Sequence, residues 1–138
     1  MSISVVVYCS QSPLLAERHL LHSLIQQQEV TPEVLVYYEQ GISLPGWLPA
    51  EWHSEMVERE TSVADVWKRG CERAQNDWVA FAEPEAFYHP LHFATALKCL
   101  QTHSQAEGLY AHSKAVDREL YPLPHTTPHL KTEDWKGF

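Results

Sequence analysis

The chain has 138 residues, 44% of them apolar and 20% charged, which fits one packed domain and argues against wholesale disorder. A net charge of −8 repels a phosphate backbone, so no nucleic-acid partner is expected. No apolar run approaches the roughly 18 residues of a membrane span.

The opening MSISVVVYCSQ has neither a basic n-region nor a small-residue cleavage site. The three cysteines, Cys9, Cys71 and Cys99, are an odd number without tight spacing, which predicts reduced, buried thiols in a cytoplasmic protein. Ile3 to Tyr8 is an unalternated β-branched run, the pattern of a strand covered on both faces. Ser12-Pro13 can cap a following helix, and Leu14, Leu20, Leu21, Leu24 and Ile25 give that helix an apolar face to about Gln27. Thr31-Pro32 ends the pattern, and Val34 to Tyr38 is a second buried strand. Strand, helix and strand within so short a span predict a parallel βαβ unit.

Residues 40–54 hold two Pro, two Gly and two Trp and read as an ordered loop, in which Trp47 and Trp52 are available to stack on a base or sugar ring. A short strand is expected over Met56 to Arg59. Ser62-Val63-Ala64-Asp65 has the form of a capping box. Val63, Val66, Trp67, Gly70, Cys71 and Ala74 then fall at helical spacing and predict a helix over 62–75, with Trp67 in the core. Trp78 to Ala82 reads as another buried strand, Pro90 opens a helix over 91–102, and Gly108 to His112 reads as a last strand. The strands at 3–8, 34–38 and 78–82 are expected to be adjacent, parallel and central. The alternation predicts an α/β domain over 1–117, with a mostly parallel sheet between helices. Pro122, Pro124 and Pro128 mark residues 118–138 as a Pro-rich tail, lying across the domain or hanging free.

In such sheets ligands bind beyond the carboxyl ends of the strands, where strand order reverses. Those ends deliver Cys9 and Ser10, Tyr38 and Glu39, and Glu83-Pro84-Glu85. Acids at neighbouring strand ends suit Mg²⁺ or Mn²⁺, and His89 is placed to join Glu83 and Glu85, a set that also admits Zn²⁺. His19 and His22, at i and i+3, read as a solvated helix face.

ISVVVYCSQSPLLAERHLLHSLIQQ, PEVLVYYEQG and SVADVWKRGCERAQNDWVAFAEPEAFYHP, in this order, resemble the first three landmarks of family 2 glycosyltransferases of the GT-A fold. The resemblance implies a three-layer α/β/α sandwich, Rossmann-like and truncated, over residues 3 to about 117. It implies a nucleoside-diphosphate sugar as ligand, with Ser10, Tyr38 and Glu39 at the nucleotide and Glu83 and Glu85 holding Mg²⁺ or Mn²⁺ on the diphosphate. The family's second strand ends in two Asp where this chain has Tyr38 and Glu39. Trp67 and Lys68 stand at its Arg-Asn, and Glu83-Pro84-Glu85 at its Asp-x-Asp. The matching stretch does not include the acceptor half, which in the family supplies the general base, although Thr132-Glu133-Asp134-Trp135 is similar to its later Glu-Asp motif. The expectation is therefore weak metal-dependent nucleotide binding without transfer. The alternative is a non-catalytic binding or interaction domain on the same scaffold. A homodimer, or the tail, is expected to cover the sheet edge that the truncation leaves open.

Overall fold

The computed structural model describes residues 2–10, 16–82 and 86–109, with the backbone alone at 16 and 17. The elements run β1 (Ile3–Cys9), α1 (Ala16–Ile25), β2 (Glu33–Glu39), β3 (His53–Val57), α2 (Val63–Arg73), β4 (Trp78–Ala82) and α3 (His92–Thr102). They build one compact unit, Met1–Ser104. The four strands form a wholly parallel sheet in the order β3-β2-β1-β4. The α/β class expected from the apolar runs is what the chain adopts.

β1 is buried along its whole length because both faces are covered. On one face Val6, Tyr8, Leu35, Tyr37 and Val57 pack with Val66 of α2, flanked by Ala74 and Val79. Strand alternation turns Val5, Val7, Val34 and Val36 to the other face, and all four are fully buried. Leu20, Leu21 and Leu24 of α1 and Phe93, Ala94, Leu97 and Leu100 of α3 supply the other buried apolar stripes. Each of the buried Val, Leu and Phe side chains contributes about 1.5–3 kcal/mol by leaving water. α2 begins as its sequence indicates: Ser62 is extended, and its hydroxyl accepts from the Asp65 N–H at 3.1 Å.

At the amino ends of the strands a polar knot ties three segments together. The buried Ser4 hydroxyl donates to Glu33 Oε1 at 2.6 Å, the Gln75 N–H donates to the same oxygen at 2.9 Å, and Asn76 Nδ2 donates to Ser4 Oγ at 3.1 Å. Glu33→Ala is expected to cost about 1–3 kcal/mol in urea unfolding, because it strands a buried hydroxyl and a backbone donor. Ser4→Ala, which removes the hydroxyl itself, is expected to cost less. An equal or larger loss for Ser4→Ala would show that the knot is not centred on Glu33.

Several expectations are corrected. The third strand is His53–Val57, not 56–59: it pairs with β2 from Leu35↔His53 to Glu39↔Val57, and Glu58 to Thr61 form the turn that follows. This is a polar edge strand with Met56 exposed, so no apolar run marks it. Among the described residues β4 is an edge strand rather than a central one. Trp67 is 37% exposed and stacks on Phe81 of β4 (centroids 4.5 Å apart) instead of entering the core. Trp78 at the start of β4 is only half-buried. Cys9 is buried, but Cys71 and Cys99 are exposed, since they lie off the faces that α2 and α3 bury. α1 stops at Ile25, two residues early, and Gln27 beyond it turns to bond another segment. Gly108 and Leu109 have no regular structure. The rest of that expected strand, the boundary near 117, the tail 118–138 with Thr132–Trp135, and the Ser12-Pro13 helix start lie outside the described residues.

Candidate functional site

Because every strand is parallel, all four carboxyl ends lie on one edge of the sheet. Cys9 is level with Tyr38, Glu39 with Val57, and Val7 with Ala82. The chain steps from β1 outward to β2 and β3, then returns through α2 to the far side of β1 as β4. Strand order therefore reverses beside β1, the place where open α/β sheets take ligands. Ser10, the first residue past β1, is exposed there. Tyr38 and Glu39, at the neighbouring end, are half-buried. Glu83 and Glu85, expected to complete the site from β4, lie outside the described residues.

Tyr38 and Glu39 face opposite sides of the sheet. Leu35 and Tyr37 lie on the α2 side, so alternation puts Glu39 on that side and Tyr38 on the other. Burial first, and the Glu39 charge second, hold the Tyr8 phenol above its ordinary range, which places the Glu39 carboxylate in the field of that ring. The Tyr8 hydroxyl donates to the Thr61 carbonyl at 2.7 Å and so ties the loop before α2 to the strand ends. The Thr61 N–H and hydroxyl both donate to the Glu58 carbonyl, and Glu60 between them has φ 64°, a left-handed conformation uncommon for a non-glycine residue. Sequence reasoning missed Arg59 in this turn, because it places the residue inside a strand. The Arg59 guanidinium lies beside Gly41: a Cβ on that glycine would stand 3.4 Å from Nη2, and Gly41 itself turns the chain out of β2 with φ 98°. A cation therefore stands at the ends of β2 and β3. The signal available was its position one residue after an acid that closes a polar, alternating segment.

His89 is held by its own segment: Nδ1 accepts from the Leu91 N–H at 3.1 Å, and its carbonyl accepts from Gln27 Nε2 at 2.9 Å. Nε2 is the ring nitrogen left for a ligand. Among the described residues no three His, Cys, Asp or Glu side chains come together as a metal site, and no chemical step is derived through an ion. His92 packs between the rings of Tyr88 and Phe93 at 4.6 and 4.8 Å. Burial first, and the neighbouring His89 second, lower its pKa from the ordinary 6.5. The folded state thus binds the proton less well than the unfolded chain, and the stability due to neutral His92 is complete above about pH 6.5 and lost as pH falls below it. The urea midpoint of the protein is expected to drop between about pH 7.5 and 5.5, and this drop should shrink in His92→Gln. An unchanged drop would assign the effect to other groups.

His19 and His22 are exposed, as expected of a solvated face. No helix among the described residues is long and apolar enough to cross a membrane. No family model matches the sequence, and no curated protein matches it. Among solved structures the chain is similar to TarS of S. aureus, a glycosyltransferase, with a TM-score of 0.54 and 19% identity over 75% of this chain and 20% of that one. The chain thus spans about a fifth of the length of that protein. At this identity the likeness concerns the fold alone.

Proposed function

We propose that the chain is a nucleotide-binding domain of the family 2 glycosyltransferase type, taking a nucleoside-diphosphate sugar at the strand ends beside β1. The observation that carries this reading is the switch point itself, where the ends of the neighbouring parallel strands β1 and β2 carry exposed Ser10 and half-buried Tyr38 and Glu39, in a chain whose fold is similar to that of a glycosyltransferase. Ser10 and Glu39 supply hydrogen-bonding groups for ribose or base, and the Tyr38 ring offers a stacking face. Glu83 and Glu85, with His89 Nε2, are proposed to hold Mg²⁺ or Mn²⁺ on the diphosphate; this supports binding rather than transfer, because no general base is identified. A cytoplasmic location, and a homodimer closing the β4 edge, belong to the same proposal.

Calorimetric titration with a panel of nucleoside-diphosphate sugars, with and without Mn²⁺, tests it. Weak binding that requires Mn²⁺ is expected. Glu39→Ala, Glu83→Ala and Glu85→Ala should each weaken it about tenfold, or about 1.4 kcal/mol. No sugar transfer is expected. Efficient transfer or donor hydrolysis would overturn the inactivity, whereas binding indifferent to all three glutamates would leave a non-catalytic interaction domain as the function.

A further inference from the structure

The outward side of α1 holds a second concavity that shares no residue with the strand ends. Arg18, His22 and Ile25 lie at i, i+4 and i+7, one row along the helix, with His19 beside them. Leu20, Leu21 and Leu24 point the opposite way into the core. The loop after β2 brings Trp47 over this row, its ring meeting His22 edge-on with centroids 5.6 Å apart. Together Arg18, His19, His22, Ile25 and Trp47 line an open depression of about 460 Å³, within the range of small-molecule sites. Pro45 and Pro49 stiffen the loop, and the Trp52 N–H closes a turn onto the Pro49 carbonyl at 3.1 Å.

Two observations say what would fit. In a chain of net charge −8, no carboxylate among the described residues pairs with Arg18, although Arg69 and Lys98 each have one. Its guanidinium therefore keeps its fork of donors for an external anion, and the two imidazoles add N–H groups beside it. Trp47 is 43% exposed and Ile25 40%, so a flat apolar surface stands next to the cation and remains uncovered. A bare anion would use the first feature and a neutral ring the second.

We infer that this depression binds a small anion carried on a ring, its phosphate or carboxylate on Arg18 and the imidazoles and its ring against Trp47. The inference is independent of the nucleotide site. Calorimetry on the full chain with four probes tests it: phenyl phosphate, glucose 6-phosphate, inorganic phosphate and glucose. At least one ring phosphate should bind saturably and about tenfold more tightly than inorganic phosphate or glucose. Preference for phenyl phosphate would identify an aromatic ligand, and preference for glucose 6-phosphate a sugar. Arg18→Gln and Trp47→Ala should each weaken binding about tenfold while melting like the parent, and Arg18→Lys should lose less because it keeps the charge without the fork. Equal binding of inorganic phosphate, no saturable binding of any probe, or affinity unchanged in both variants would overturn the inference.

Discussion

Gly70→Ala is expected to destabilise the protein by about 2 kcal/mol, against the usual direction for glycine in a helix. Alanine is favoured over glycine in a helix interior by about 1 kcal/mol, so propensity alone predicts a gain. Here α2 lies directly on β1, and a Cβ at position 70 would stand 2.4 Å from Val6 Cγ2, 2.8 Å from Cγ1 and 3.2 Å from Cβ. Val6 is fully buried at the middle of an inner strand, and its branched side chain has little freedom to rotate aside. The helix must lift, which loosens Val66 from the same cluster. Overpacking of this kind costs about 1–3 kcal/mol and sometimes more, enough to outweigh the propensity gain. Val6→Ala alone should also destabilise, through the cavity it leaves. The double variant should be more stable than the sum of the two losses by about 1 kcal/mol or more, since each change accommodates the other. A gain in stability for Gly70→Ala by itself would show that α2 sits farther from β1.

Gln27→Ala is expected to cost about 2–3 kcal/mol, far more than a surface glutamine. Leu91, the N-cap residue of α3, makes no side-chain capping bond. The missing acceptor comes from the segment that follows α1: Gln27 Oε1 accepts from the Phe93 N–H at 3.2 Å. The same amide donates through Nε2 to the carbonyls of Ser23 at 3.1 Å and His89 at 2.9 Å. Around it the Gln28 N–H donates to the Pro90 carbonyl at 2.7 Å and the Tyr88 N–H to Ser23 Oγ at 3.0 Å. Loss of a cap costs about 1 kcal/mol, and each further neutral hydrogen bond about as much. Hydrogen exchange at the Phe93 amide should accelerate in Gln27→Ala. Gln27→Glu should fall between, because its carboxylate still accepts at the helix start but cannot donate to the His89 carbonyl. Gln26→Ala, at the exposed neighbouring position, is the control. Equal losses at 26 and 27 would remove the capping role.

Elements whose signals are local can be read from the chain of residues without its fold. β1 and β2 are legible as unalternated apolar runs, because a strand covered on both faces has no polar side to alternate with, whereas β4 carries the same kind of run with only Ala82 buried. Ser62 announces α2, because an N-cap is satisfied within three residues of chain. The opposite facing of Tyr38 and Glu39 was also available from the period of two, once Leu35 and Tyr37 were assigned to a side. Features that depend on register and on the approach of distant segments come from packing instead. Packing left Trp67 in partial exposure, set Gly70 against Val6, and brought Arg59 to Gly41. It also made Gln27 the cap of a helix 66 residues away. Such contacts arise when rigid elements pack, and the helical spacing that put Gly70 and Trp67 on one stripe does not say which of the two the sheet will cover.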